Sequence, residues 1–422
     1  MRTYLQVYIF SIWAASAISQ PIRLEKLLSQ LRSQNPAIRA SRFRRDAKTK
    51  IYTQVTALPD PRLQTTFLLE PVETRTGPQR ASLGLSQTFP SKQKLRLRGA
   101  IANMGVRLAE QSIQGIVLTS ETRLKKAFYR YWYARRAKHI TQEMIDLLIG
   151  GEQVALARYA AGQDTQGVAL KAQVELGILK DRMQSFEEMA PIYREEILAL
   201  LGDSEDVKLG EPTLNDLQEQ SLIYSLNDLY ALSSKRSPHI NETLIHAQQK
   251  KLEADLALKE KIPDLTVGIS TIFTDHSRFQ SVNGSGHNPV SLSVGINLPL
   301  RRSRYRAAAQ EKNIKSKALR ETAIGQTHDN RSLIRKYYFA YKDARRKISL
   351  YRNDLLPKIR QTLKVKFTSF QSDRVTFLDL LDSERSLFDF EIGYAQSLMN
   401  HLEAIAELER LVAGSVAREV VP

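Results

Sequence analysis

The chain has 422 residues, a formal net charge of +17 and a sequence pI of about 9.8. Hydrophobic residues make up 42% of it, which is enough for a sizeable core but too little for a bundle of membrane helices. It contains no cysteine, which excludes disulfides, a catalytic thiol, Cys-ligated metal centres and a lipidated N-terminal cysteine. The basic charge alone is compatible with a nucleic-acid partner, an anionic lipid surface or a solvated face.

The first residues have the layout of a secretory signal peptide. Arg2 precedes a largely apolar stretch from Tyr4 to Ala17, and small residues follow it. We therefore predict a signal peptide over 1–19, cleaved after Ala17 or Ser19, with a buried first helix as the alternative. No later apolar run reaches the roughly 20 residues of a transmembrane helix, so none is predicted. An exported chain can still enter a membrane as a β-barrel, whose strands carry a weaker signal.

The remaining chain repeats one plan roughly 210 residues apart. Each repeat opens with a helix that starts near a proline, Pro36 in the first and Pro238 in the second. Each helix is predicted to end at a proline-containing break, 58–61 or 262–264, because proline removes a donor and clashes with the preceding turn.

Two stretches of period-2 alternation follow each break and predict β-hairpins at 62–89 and 265–299. One face of each strand is apolar and the other is small and polar, as in a barrel wall between lipid and water. The alternative is a half-buried soluble sheet. Against it, two lone hairpins among long helices make a poor soluble sheet, whereas several chains that pool their strands into one barrel leave no free edge.

Very long helices follow the hairpins, at about 94–159 and about 304–367, the second with a kink at Pro357. At 1.5 Å per residue, about 65 residues span roughly 100 Å, which is typical of coiled-coil-like barrels rather than globular domains. Shorter return helices are predicted near 168–201 and 377–412.

Tight turns, here called tips, join the long and return helices at 159–167 and 367–376. A polar segment from 202 to about 226 reads as the linker between the repeats. We place the first repeat at 20–214 and the second at 215–422.

With this doubled order, the sequence resembles the TolC-like outer-membrane efflux family over about 22–414. Segments 58–61 and 82–89 are similar to the branch that serves heavy-metal pumps, and 291–309 matches the family's fourth strand and following helix. In the second tip region the family often reads Leu-Asp-Leu-Leu-Asp-Ala, and this chain has Leu378-Asp379-Leu380-Leu381-Asp382-Ser383. Where many members carry Gly-Gly after the second and fourth strands, this chain has Lys92-Gln93 and Arg301-Arg302.

The resemblance implies a mainly α fold with a small β part, in which a homotrimer forms an α-helical barrel and a 12-stranded β-barrel, four strands per chain. It further implies a passive channel in the Gram-negative outer membrane that extends into the periplasm and contacts outer-membrane lipid. A periplasmic adaptor protein and an inner-membrane transporter would be its partners. The transporter would drive the cargo.

Asp379 and Asp382 match carboxylates that ring the closed periplasmic entrance in some family members. They lie three residues apart on one helix, so both can face one side, and in a trimer they would form rings that attract cations. The alternative is that acidic residues simply favour the first turn of a helix.

The resemblance also implies that exposed tip residues dock the adaptor: Ala160, Ala161, Gly162, Gln163, Ser369, Phe370, Gln371 and Ser372. A basic cluster, here called the rim cluster, recurs directly after each hairpin: Lys92, Lys94, Arg96, Arg98, Arg301, Arg302, Arg304 and Arg306. We expect the rim cluster to contact anionic headgroups. The alternatives are that some members face the lumen and favour anionic cargo, or that the cluster is a solvated helix end.

Two other functions remain open. A type I protein secretion duct has the same fold, and a basic coiled-coil protein that binds nucleic acid or acts as a scaffold would suit the charge. The signal peptide and the four amphipathic strands disfavour nucleic acid as a partner. The sequence has no nucleophile–base signature, phosphate loop or metal-ligand spacing, so we expect neither an enzyme nor a cofactor. It also lacks a Met or His ladder that would mark a metal path.

Overall fold

The computed structural model describes residues 24–162, 165–202, 217–279, 282–372 and 374–419. The predicted signal peptide at 1–19 and most of the predicted linker lie outside these residues. Among the described residues, no helix combines the length and apolar character that membrane-spanning helices have.

One order of elements occurs twice along the chain. The first half contains α1 (Leu24–Gln34), α2 (Pro36–Thr56), β1 (Arg62–Val72), β2 (Gln79–Phe89), α3 (Lys92–Ala160) and α4 (Gln166–Leu201). The second half contains β3 (Gln220–Leu222), α5 (Leu226–Arg236), α6 (Pro238–Lys259), β4 (Leu265–Thr274), β5 (Val290–Ile296), α7 (Arg302–Leu350), α8 (Leu356–Gln371), α9 (Phe377–Val412) and β6 (Ala417–Glu419). In both halves a short helix, a second helix that begins at proline, a hairpin, a long helix and a return helix follow one another.

Local signals explain where the helices begin and end. The Asn35 side chain accepts a hydrogen bond from the backbone N–H of Ile38 at 3.0 Å, and Pro36 occupies the first turn, where no donor is needed. The return helix α4 ends at Gly202, whose φ of +79° is the left-handed conformation that glycine favours.

The two long helices differ in continuity. Helix α3 runs for 69 residues without a break, about 100 Å at the standard rise. Helices α7 and α8 are separated by a π-helical segment, Tyr351–Leu355, directly before Pro357. Proline lacks the N–H and crowds the carbonyl four residues earlier, and the wider π turn relieves that clash. The predicted kink at Pro357 is therefore a π-helical turn.

The four longer strands form one antiparallel sheet in the order β1-β2-β4-β5. Leu85 lies opposite Leu63 of β1 and Ile269 of β4, and Ile269 in turn lies opposite Leu292 of β5. The predicted apolar faces of all four strands thus join into one continuous apolar surface, which confirms the two hairpins and their alternation.

The opposite face of the sheet is small and polar. Thr88 and Thr266 hydroxyls lie 3.0 Å apart across β2 and β4, and those of Ser270 and Ser291 lie 2.8 Å apart across β4 and β5. A Cβ atom at Gly268 would lie 2.8 Å from the Ser293 Oγ. Glycine at this position therefore lets the neighbouring strand's side chain approach the backbone closely on the polar face.

The helices next to the sheet form a single layer, in which α2 packs on α3, α3 on α6, and α6 on α7. Farther from the sheet, α4, α3, α9 and the α7–α8 pair lie side by side. Ion pairs between α3 and α9 fix their antiparallel register: Lys125–Glu409 at 2.6 Å, Lys126–Glu407 at 2.9 Å and Arg130–Glu403 at 2.6 Å.

A two-stranded sheet, which the sequence did not predict, joins the end of the linker to the C-terminal segment. Strands β3 and β6 pair antiparallel. The fully buried His401 places Nε2 2.8 Å from the Gln220 carbonyl oxygen, and its ring centre lies 4.9 Å from that of Tyr341. Burial lowers the pKa of His401, which favours the neutral form of the ring in this contact.

Candidate functional site

The predicted gate residue Asp379 takes part in the N-terminal cap of α9. The Thr376 hydroxyl accepts a hydrogen bond from the Asp379 N–H at 3.2 Å. The Asp379 carboxylate in turn accepts hydrogen bonds from the Thr376 hydroxyl at 2.6 Å and from the Thr376 N–H at 3.1 Å. These hydrogen bonds, that from the hydroxyl first, lower the pKa of Asp379. The carboxylate therefore has the local role that its place in the first turn suggested.

The Asp382 side chain is more exposed to solvent than that of Asp379. Its side chain is 74% exposed and lies 4.0 Å from the guanidinium of Arg385. Arg385 is held by a two-point contact with Glu175 of α4, which joins the return helices of the two repeats. Asp382 therefore presents a solvated negative charge beside a fixed helix contact.

The first tip is exposed from Ala160 to Gly162, and Gly162 has a φ of +71° that closes the turn. Gln163 lies outside the described residues. Residues Ala160 to Gly162 of this tip therefore expose only small side chains.

The second tip differs from its prediction at one position. Ser372 is exposed and Ser369 half-buried, but Phe370 is only 5% exposed. Its ring centre lies 5.2 Å from the guanidinium of Arg158 and 5.9 Å from the ring centre of Phe377. Phe370 therefore packs the two tips together and is not an exposed docking residue. Gln371 is the last residue of α8.

The rim cluster is divided by the structure. Lys94 is fully buried, with Nζ 2.8 Å from the Asp264 carboxylate and 3.5 Å from that of Glu260. Arg98 is half-buried and lies 3.3 Å from Glu260. As a correction, these two cations are structural and not free for headgroups. The other six members are exposed: Lys92, Arg96, Arg301, Arg302, Arg304 and Arg306.

A buried carboxyl group near the second tip was missed from the sequence. Glu384 on α9 is 4% exposed, and its Oε2 has no hydrogen-bond partner among the described residues. Burial raises the pKa of Glu384 to about 7. Its position is seven residues after Phe377 and four before Phe388, on the apolar stripe of α9, and that spacing was the available signal.

No group of three or more His, Cys, Asp or Glu side chains in the described part of the chain is placed to hold a metal ion.

Comparison with known proteins decides the fold. No family model matches the chain. The cobalt-zinc-cadmium resistance protein CzcC of Cupriavidus metallidurans is 23% identical over 409 residues, covering 93% of this chain and 90% of CzcC. The structure of the outer-membrane channel OprN superposes with a TM-score of 0.76 at 16% identity, covering 93% of this chain and 90% of OprN. The transmembrane channel CusC gives the same TM-score and identity over 94% of this chain and 93% of CusC.

The chain has the TolC-like channel fold. The predicted fold class is thereby confirmed, because the similarity to OprN and CusC extends over almost the whole of each chain. The name of CzcC, a cobalt-zinc-cadmium resistance protein, agrees with the heavy-metal branch suggested by segments 58–61 and 82–89. OprN and CusC are channels.

Proposed function

We propose that this protein is the outer-membrane channel of a tripartite efflux system in a Gram-negative bacterium. It passively conducts substrate from a periplasmic adaptor and an inner-membrane transporter to the exterior. The observation that carries the proposal is a sheet with one apolar and one polar face, continuous with helices of about 100 Å. A membrane-spanning wall followed by a periplasmic tube needs this combination.

The free edges of the sheet support assembly into a homotrimer. Strands β1 and β5 are the two edge strands, and apolar side chains on them are unusually exposed: Leu69 is 99% and Leu292 is 75% exposed. A lone sheet with such edges would aggregate, whereas three copies that pair β5 with β1 of the next copy form a closed barrel of twelve strands. The apolar surface would then face lipid.

The cargo is the open part of this function. The name of CzcC refers to cobalt, zinc and cadmium. A type I protein secretion duct, the alternative left by the sequence, would have the same architecture. The fold supports a conduit in each case. A nucleic-acid-binding or scaffold role does not explain the apolar sheet surface.

The test is to express the full chain, isolate outer membranes, and measure native mass and planar-bilayer conductance. We expect a trimer that inserts into the bilayer and conducts ions. A soluble monomer or dimer without conductance would overturn the proposal.

The six exposed rim cations are proposed to contact headgroups of the inner leaflet.

The exposed tip residues are proposed to dock the adaptor. Cross-linking from Ala161 and Ser372 tests the docking. Capture of the adaptor from both tips is expected, and capture from neither would contradict it.

Asp379 and Asp382 are both proposed to belong to the gate, but their substitution is expected to have different effects on stability. Asp382→Asn is expected to lower the potassium-to-chloride permeability ratio in planar bilayers without changing thermal stability, because this side chain is solvated and caps nothing. Asp379→Asn is expected to lower the same ratio and also to weaken the start of α9, because the Asp379 carboxylate binds Thr376. Thr376→Ala is the matched control, since it removes the cap but no charge. If Asp382→Asn leaves selectivity unchanged, Asp382 is not part of the gate.

A further inference from the structure

The polar face of the sheet carries no carboxylate at the positions where the strands pair. These positions hold Ser, Thr, Gly, Gln64 and Ile272, and the one charged side chain among them is Arg62. Because the apolar face of a membrane barrel meets lipid, this polar face would line the inside of the closed barrel. The paired positions of this face are therefore neutral, apart from Arg62 at the start of β1, and the charged Glu70 of β1 and Arg80 of β2 lie outside them.

The sheet meets the helices in a strongly basic zone. The four segments of this junction, 57–62, 90–98, 260–264 and 297–306, contain ten Lys or Arg and three Asp or Glu, a net charge of +7 per chain. Helices α3 and α7 begin here without an acidic residue in the first turn, although a helix N-terminus favours negative charge. Helix stability alone does not explain this distribution.

Two of the three junction acids are already bound to junction cations. Asp264 and Glu260 hold the buried Lys94, and Glu260 also holds Arg98. The remaining eight cations are exposed, and none has a carboxylate of the described residues within ion-pair distance. These eight, here called the junction cations, are Arg62, Lys92, Arg96, Lys261, Arg301, Arg302, Arg304 and Arg306.

The thickness of the wall lets these charges act on the lumen. The junction helices form a single layer, and a helix with its side chains is about 10–12 Å across. Arg302 and Arg304 are two residues apart on α7, about 200° around the helix axis, so they project from opposite sides of this one-helix-thick wall and do not both face outward. Low-dielectric walls lined by one sign of charge concentrate ions of the opposite sign.

We propose that the passage from this junction through the sheet selects for anions, and that the cargo is an anionic small molecule rather than a divalent metal cation. This inference rests on the proposed channel function and specifies its substrate class. It assigns the junction cations a role in the passage beyond any contact with lipid.

The experiment measures reversal potentials of the trimer in planar bilayers under a KCl gradient. It uses the Asp379→Asn/Asp382→Asn background, so that carboxylates at the far end of the tube do not contribute. We expect chloride to be more permeant than potassium. Replacing the eight junction cations by Gln is expected to lower the chloride-to-potassium permeability ratio several-fold, while Lys94 and Arg98 stay unchanged to preserve packing.

The matched control exchanges Arg for Lys and Lys for Arg at the same eight positions, which keeps charge while disturbing shape equally. It should retain the selectivity of the background. A background channel that prefers potassium, or a Gln variant with unchanged selectivity, would overturn the inference while the channel function stands. A protein that does not conduct in any variant would instead overturn the channel function.

Discussion

Lys94→Ala is expected to destabilise the helical layer at the sheet junction by about 3 kcal/mol, because it removes one partner of a buried ion pair. The Lys94 side chain is fully buried, and its ammonium neutralises Asp264 at 2.8 Å and Glu260 at 3.5 Å. Both acids keep partial access to water, so the cost lies at the lower end of the range for fully buried pairs. Thermal or urea unfolding of the purified protein, followed by circular dichroism, measures the effect.

Arg96→Ala is the matched control, because Arg96 lies two residues away on the same helix and is exposed. Its effect is expected to stay within about 0.5 kcal/mol. In the Lys94→Ala/Asp264→Ala double variant, the loss in free energy of unfolding should be well below the sum of the losses in the two single variants, since the two side chains share one interaction. Equal losses for Lys94→Ala and Arg96→Ala would show that the buried ion pair contributes nothing specific.

Glu384→Gln is expected to stabilise the protein at alkaline pH and to have little effect in acid. The carboxyl group is buried on the apolar stripe of α9, and its pKa is raised to about 7 from 4.5. At a pH between the ordinary pKa of 4.5, which applies to the unfolded chain, and the folded-state pKa of about 7, the folded chain keeps a proton that the unfolded chain has lost. Stability therefore falls as pH rises through this window, by about 3 kcal/mol, and is level above pH 7.

Glutamine has nearly the same shape and cannot ionise, so the variant lacks this pH dependence. Unfolding at about pH 5 and about pH 8 measures it, with the largest gain over the wild type at the higher pH. Asp146→Asn, an exposed change on α3, serves as the control and should leave the pH dependence unaltered. If Glu384→Gln falls in stability with rising pH as steeply as the wild type, burial of this carboxyl is not the cause.

The elements that a short window of sequence specifies were predictable. The β4 strand at Leu265–Thr274 follows directly from strict alternation, because side chains on a strand alternate between the two faces of the sheet. Helix α9, Phe377–Val412, follows from its apolar stripe and from the capping pair Thr376 and Asp379, which lie within four consecutive residues. Proline located the starts of α2 and α6, because it suits the first turn.

The candidate sites were predictable only in part. Asp379 and Asp382 were found by their motif, and the structure supplied the difference between them, since Asp379 binds Thr376 and Asp382 is solvated. Phe370 was assigned to an exposed turn because the sequence pattern placed the second tip at 367–376, but it lies in the last turn of α8. Its ring is in fact covered by Arg158 and Phe377, which neighbouring helices bring to it.

By itself, the sequence determined the doubled order of helices and hairpins and the two faces of the sheet, because periodicity and proline act through neighbours along the chain. Only the tertiary structure decided which charges are free. Lys94 and Arg96 are indistinguishable in the sequence, but Lys94 is buried against Asp264, 170 residues away, and Arg96 is exposed. The pairing of β3 with β6 also depends on contacts between distant segments, and so does the burial of Glu384, whose Oε2 has no hydrogen-bond partner among the described residues. A side chain's environment is set by packing between distant segments, and no local pattern encodes it.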